Sequence, residues 1–193
     1  MTNRAIFLDR DGTINEEVGH ITKPEQFKLF SFAAEAVRMT NQAGWRAIVV
    51  TNQSGVARGH FTEEFLRQIH ESMEDSLRAQ AARLDAIYSC VHHPDFGNPP
   101  LRCDCRKPRP GLIEQAAKDF DLDLSECFVI GDRYRDVETG HAAGASGVLV
   151  MTGFGREEYK AGRELWLRQP ESVAENLLEA VKWILNQSKT GKT

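Results

Sequence analysis

Ala5-Ile6-Phe7-Leu8-Asp9-Arg10-Asp11-Gly12-Thr13 is a short apolar run that breaks off into two aspartates flanking an arginine, with a glycine behind them. Ile6, Phe7 and Leu8 lack the polar alternation of a half-exposed strand. They predict a strand covered on both faces, as in the interior of a parallel sheet. Residues i and i+2 of an extended segment share a side, so Asp9 and Asp11 leave the strand end close together while Gly12 lets the backbone turn. Two clustered carboxylates call for a cation. A carboxylate approaching a phosphate dianion at ~4 Å meets roughly 8 kcal/mol of repulsion at an effective dielectric of ~20. Attack on phosphorus is then feasible only where cations offset that repulsion, and Mg²⁺, a hard ion that takes carboxylate and phosphate oxygens, suits the task. One aspartate would be the nucleophile and the other the proton carrier.

Outward from this stretch, apolar strands and amphipathic helices alternate. Ser31 is a candidate N-cap for a helix carrying Phe32, Ala33, Ala36 and Val37 and ending near Gly44. Asn15 to Phe30 reads as a loop with a short strand around Phe27 to Phe30. Ala47-Ile48-Val49-Val50 is a second buried strand, ending in Thr51-Asn52-Gln53-Ser54. Thr62 caps a long helix with Phe65, Leu66, Ile69, Met73 and Leu77 on one face, along which His70 reads as structural. Ala86 to Tyr88 is a third strand, Pro110 opens a helix, Phe128 to Ile130 is a fourth strand, and Gly147 to Met151 a fifth. From Pro170, Val173, Leu177, Leu178, Val181 and Ile184 fall at helical spacing, and Ser188 to Thr193 reads as a polar tail.

This alternation predicts an α/β fold, a three-layer α/β/α sandwich with a mostly parallel, Rossmann-like sheet. The 193 residues, 41% hydrophobic and 27% charged, suit one domain over residues 1–187. A net charge of -4 gives no electrostatic reason to expect a nucleic-acid partner. No apolar run approaches the ~20 residues of a membrane span and none near the start is long enough for a signal peptide. The expectation is a cytoplasmic monomer acting on a small molecule, without a nucleic-acid or membrane partner.

Three predicted strands end in Asp9, Thr51 and Asp132, and ligands of open α/β sheets bind beyond such strand ends. The Thr51 hydroxyl can donate to a phosphoryl oxygen, and Arg106-Lys107-Pro108 sets two cations beside a stiffened turn. Cys90-x-His92 and Cys103-x-Cys105 are separated by ten residues. Three thiolates and an imidazole make a closed tetrahedral zinc set with no position left for water or substrate, which predicts a structural Zn²⁺. The loop over about 90–107 is rich in Pro and Gly and poor in apolar residues, so a metal would order it and fix the two cations that follow. His93 is the competing ligand; Cys127 reads as a buried apolar residue.

Asp9-Arg10-Asp11-Gly12-Thr13 resembles the first motif of the haloacid dehalogenase-like phosphatases, Thr51 the second, Lys107 the third, and Gly131-Asp132-Arg133-Tyr134-Arg135-Asp136 the fourth. The resemblance implies phosphoryl transfer through an aspartyl-phosphate, with catalytic residues Asp9, Asp11, Thr51 and Lys107. Asp9 would be the nucleophile and Asp11 the acid and base. Mg²⁺ would be held by Asp9, Asp132 and the Asp11 backbone carbonyl. Asp136 is left between orienting Lys107 and capping a helix. No long insertion interrupts the motifs, which implies a member without a large cap domain. The collinear set DRDGTIN, TNQSGVARG, CxH, CDCRKPRPG and GDRYRD resembles one branch of these phosphatases, whose members remove the 7-phosphate of a heptose 1,7-bisphosphate. The substrate would then be a sugar bisphosphate, touched by Glu17, Val18, Gly19 and His20, by Thr51, Asn52, Gln53 and Ser54, and by Arg106, Lys107 and Arg133. Arg106 would recognise the second phosphate. Val91 and Arg133 depart from the pattern, where proline and lysine are common. The rival readings are a histidinol-phosphate phosphatase, a polynucleotide 3'-phosphatase, and a catalytically silent zinc-stabilised binding module.

Overall fold

The structure, a computed structural model, describes residues 3–190. Six strands form one sheet: β1 (Ala5–Leu8), β2 (Arg46–Asn52), β3 (Ala86–Cys90), β4 (Phe128–Gly131), β5 (Ser146–Val150) and β6 (Ser172–Ala174). Their order is β3-β2-β1-β4-β5-β6 and every pairing is parallel. The chain winds outward from β1 in one direction and from β4 in the other. The boundary between β1 and β4 is thus the switch point, where an open sheet leaves a crevice at its carboxyl ends.

The apolar run of β1 is buried on both faces, as its continuous hydrophobicity predicts. Ile6 and Leu8 pack with α1 (Ala33–Gln42), with Met73 and Leu77 of α2 (Glu63–Arg78), and with α6 (Leu177–Thr190). Phe7 faces the other way, onto Leu112, Ile113 and Ala116 of α3 (Gly111–Phe120). Each such side chain contributes about 1.5–3 kcal/mol when fully buried. On the Phe7 side α4 (Tyr134–Ala143) approaches the sheet closely, because Gly140 lies against Val129 and Gly147 against Val137. Among the described residues no inserted cap domain covers the crevice. The connection from β1 to α1 holds a 3-10 turn at Pro24–Gln26, and that from β3 to α3 the cysteine-bearing loop. No helix of the described residues is long and apolar enough to cross a membrane.

Thr62 caps α2, its Oγ1 accepting from Phe65 N at 3.1 Å. Ser31 does not cap α1: the helix begins at Ala33 after a turn in which Phe30 and Phe32 stack at 5.0 Å, so aromatic packing sets the entry. The strand expected at Phe27 to Phe30 is a single bridge between Asn15 and Leu29, which ties the first motif's loop back on itself. Val173 lies in edge strand β6 rather than on the last helix. That three-residue strand and the polar, eight-residue α5 (Gly155–Gly162) are too short for periodicity to register. Helix α6 runs to Thr190, so the expected tail from Ser188 begins as helix, and residues 191–193 of it lie outside the described residues.

A Cβ on Gly147 would stand 2.8 Å from Val137 Cγ1 and 2.9 Å from Val137 Cα. Gly147→Ala is expected to push α4 off the sheet and cost about 1–3 kcal/mol. Urea denaturation should show a lower midpoint, and an unchanged midpoint would show that α4 is not held at this distance.

Candidate active site

Asp9 leaves the end of β1, with its backbone N–H donating to Ile130 O of β4 at 2.9 Å, and Asp132 follows β4 directly. The turn after β1 runs so close to Asp132 that a Cβ on Gly12 would lie 2.2 Å from Asp132 Oδ2, and Gly12 also has φ +78°. Only glycine meets both demands. Phe154 N–H donates to Asp132 Oδ2 at 2.8 Å, which fixes that carboxylate from the β5 side.

Lys107 arrives from the cysteine loop and is buried among these groups. Its Nζ lies 2.8 Å from Asp9 Oδ1, 2.6 Å from Asp136 Oδ1 and 2.9 Å from Val50 O. The ammonium thus sits between two carboxylates and donates to one backbone carbonyl. The Asn52 side chain holds the lysine's backbone on both sides, accepting from Lys107 N and donating to Lys107 O, each at 3.1 Å. Asp136 in turn accepts from Arg133 N at 3.1 Å, so both readings left open for it hold: it orients Lys107 and caps α4.

Asp9, Asp132 and Asp136 bring carboxylate oxygens within 4.8 Å of one another. Three carboxylates against one ammonium leave two formal negative charges in a buried site. Burial raises Asp9 to about 6, with Lys107 opposing and Asp136 adding to the rise. Burial, then the charges of Asp9 and Asp136, raises Asp132 to about 8. Burial opposes the charge on Lys107, yet Asp136 and Asp9 hold its pKa above the ordinary value. This charge deficit and all-oxygen donor set fit a hard divalent cation.

The Asp11 carboxylate is not part of that group. It accepts from Arg10, from Asn15 Nδ2 at 3.0 Å and from Gln53 Nε2 at 2.8 Å. Burial pushes its pKa up, but Arg10, Asn15 and Gln53 outweigh burial and lower it. Gln53 Nε2 also donates to Thr51 Oγ1 at 2.9 Å. Having accepted that bond, the Thr51 hydroxyl keeps its own proton to donate into the crevice.

A cavity of about 250 Å³ opens over these groups. Of the residues the sequence assigned to substrate, Glu17, Gly19, His20, Thr51, Asn52, Gln53, Ser54, Arg106, Lys107 and Arg133 line it. Val18 does not; it is 43% exposed, in a loop that turns at Gly19, whose N–H donates back to Glu17 Oε1 at 2.5 Å. Arg135, Asp136 and Phe154 line the cavity without having been assigned to substrate. Arg135 carried a signal, as the second arginine of the fourth motif, whereas Phe154 sits in a segment without pattern. Arg133 is partly neutralised by Glu158 at 3.2 Å and lies 3.7 Å over the Phe154 ring. Among the described residues no carboxylate pairs with Arg106 or Arg135. The two guanidiniums sense each other: burial lowers the Arg106 pKa, and the Arg135 charge lowers it further.

Behind the cavity, Cys90, His92, Cys103 and Cys105 converge. Sulfur-to-sulfur separations are 3.5 Å for Cys90 and Cys103, 3.1 Å for Cys90 and Cys105, and 3.0 Å for Cys103 and Cys105. His92 Nδ1 is 3.3 Å from Cys105 Sγ and 3.9 Å from Cys90 Sγ. A tetrahedron with metal–sulfur bonds of about 2.3 Å has edges of about 3.7 Å, so these four atoms could close around one ion with a small adjustment. His93 is engaged elsewhere: its Nε2 meets Arg58 at 2.8 Å and its Nδ1 accepts from Asp95 N. Arg58 also lies 4.0 Å over the Phe96 ring, which fastens the cysteine loop to the segment after β2.

Comparison with known proteins gives three findings. Residues 104–180 match the family model described as "HAD-hyrolase-like". Over 193 aligned residues, the chain is 40% identical to a D-glycero-D-manno-heptose-1,7-bisphosphate 7-phosphatase of Thermosynechococcus vestitus, covering 95% of this chain and 96% of that one. It is 34% identical, with a TM-score of 0.86, to the crystal structure of a D,D-heptose 1,7-bisphosphate phosphatase from B. bronchiseptica complexed with magnesium and phosphate, covering 95% of this chain and 99% of that one. The sheet order, the crevice at the switch point and these likenesses agree, and the chain belongs to the D-glycero-D-manno-heptose-1,7-bisphosphate 7-phosphatase family of haloacid dehalogenase-like hydrolases.

Proposed function

We propose that this chain hydrolyses the 7-phosphate of D-glycero-D-manno-heptose 1,7-bisphosphate, giving heptose 1-phosphate, through an aspartyl-phosphate on Asp9. The observation that carries the chemistry is the buried Lys107, set between Asp9 and Asp136 in a site still two charges short of neutrality. Mg²⁺ held by Asp9, Asp132 and the Asp11 carbonyl would supply the charge that lets a carboxylate approach a phosphate. Lys107 and the Thr51 hydroxyl position the phosphoryl oxygens. The dianionic phosphate brought beside Asp11 opposes the effect of Arg10 and lets that carboxyl enter the reaction protonated. An Asp9 oxygen attacks phosphorus, the bond from phosphorus to the C7 oxygen breaks, and Asp11 gives that oxygen its proton. Asp11, now ionised, takes a proton from water as the water oxygen attacks phosphorus. The bond to Asp9 breaks and inorganic phosphate leaves.

The substrate reading is supported by the named relatives and by the cavity mouth. There Arg106 and Arg135, free of carboxylates among the described residues, suit the second phosphate of a bisphosphate better than the imidazole of histidinol phosphate. The net charge of -4 argues against a polynucleotide. A single-domain, cytoplasmic monomer is the organisation that accompanies this reading, since one sheet supplies the site. The cysteine–histidine cluster is read as a structural Zn²⁺ site: all four donors are protein atoms, which leaves no place for substrate.

Asp9→Asn is expected to lower turnover at least about a thousandfold while leaving the fold and Mg²⁺-dependent phosphate binding in place; undiminished turnover would dismiss Asp9 as nucleophile. Metal analysis of the purified protein should give about one zinc per chain, and Cys103→Ser should lose it together with activity. A Cys103→Ser protein that kept both would contradict the structural role. Across α and β heptose bisphosphate, histidinol phosphate and fructose 1,6-bisphosphate, kcat/KM should be highest for a heptose bisphosphate. A preference for histidinol phosphate would overturn the substrate assignment.

A further inference from the structure

Arg10 stands between the two aspartates of the first motif, yet no step of the proposed reaction uses it. It is nevertheless only 2% exposed. Desolvating a cation to that depth costs several kcal/mol unless charge and hydrogen bonds compensate, so its partners are informative. Nη2 lies 2.8 Å from Asp11 Oδ2 and 2.9 Å from Oδ1, and Nε lies 3.1 Å from Oδ1. The remaining Nη1 meets Nε2 of His70, on α2, at 3.2 Å.

Arginine has only donors, so His70 Nε2 must accept, and the ring must be the neutral tautomer with its proton on Nδ1. Burial, with the Arg10 charge second, brings the His70 pKa down to about 4, so the acceptor persists at neutral pH. His70 does not line the cavity. Its contact nevertheless connects to it through Arg10, Asp11, Gln53 and Thr51. An arginine side chain carries about 2 kcal/mol of rotamer entropy, and a partner on Nη1 restricts the plane in which Nε and Nη2 are presented to Asp11.

We propose that His70 is a positioning residue for proton transfer: by accepting from Arg10 it fixes the guanidinium plane, and that plane sets the aim of the Asp11 carboxylate. The proposal rests on the reading of Asp11 as the group that protonates the leaving oxygen. It brings α2, none of whose residues line the cavity, into the reaction.

A misaimed acid matters in proportion to how much the leaving group needs a proton. An alkoxide from a sugar needs one, whereas p-nitrophenolate does not. On the zinc- and magnesium-loaded protein, His70→Leu is expected to lower kcat/KM for heptose bisphosphate about 10-fold to 100-fold. For p-nitrophenyl phosphate the same variant should lose less than about threefold, because proton donation contributes little there. His70→Gln, whose amide oxygen can accept from Arg10, should restore most of the loss. On an Arg10→Met background, His70→Leu should add less than about twofold, because both act through one contact. Equal losses on the two esters, or a His70→Gln protein as impaired as His70→Leu, would reduce His70 to a packing residue and overturn the proposal. Failure of the functional reading would show separately, as a wild-type protein that does not hydrolyse heptose bisphosphate. The same comparison then runs on whichever alkyl phosphate it does hydrolyse.

Discussion

The structure is organised around one buried ammonium. Lys107 Nζ reaches Asp9, Asp136 and the Val50 carbonyl, contacts drawn from the ends of β1 and β2 and the first turn of α4. A lone ammonium in such a place would lose its proton; with two carboxylates beside it the charge is retained. The same arrangement leaves the carboxylates under-compensated, and that deficit is the site's affinity for a divalent cation. Placing Lys107 is accordingly a task shared by distant parts of the chain. Asn52 grips its backbone from β2, and the cysteine cluster fixes the residues just before it.

Much of this was legible in the sequence, and for physical reasons. The apolar run of Ile6 to Leu8 could only be covered on both faces, which required a parallel sheet. Strand ends at Asp9, Thr51 and Asp132 then had to meet at its carboxyl edge. The convergence of Cys90, His92, Cys103 and Cys105 was legible from their spacing, and His92 was preferred over His93 for its distance along the chain from Cys90. Asp136 was left between orienting Lys107 and capping a helix, and its contacts show it beside the lysine and accepting from Arg133 N at the start of α4.

What was not legible depends on contacts that leave no period in the chain. The start of α1 is set by stacking of Phe30 on Phe32 rather than by a hydroxyl cap. Strand β6 is too short to alternate, and Val173 was drawn into the neighbouring helical pattern. Val18 was placed with its neighbours on substrate, although the turn at Gly19 leaves it exposed. His70 read as one more residue on the buried face of α2. Its bond to Arg10 joins residues sixty positions apart and depends on how the helix rotates against β1.

The cysteine cluster ends one residue before Arg106 and two before Lys107, so whatever loosens it slackens the covalent tether of both cations. With Zn²⁺ in that cluster, two inorganic requirements of opposite character would converge on one turnover. A soft, thiophilic ion would hold the scaffold while a hard, oxophilic ion serves the reaction. Under that arrangement, scarcity of the trace element would silence the protein even in a cell replete with magnesium.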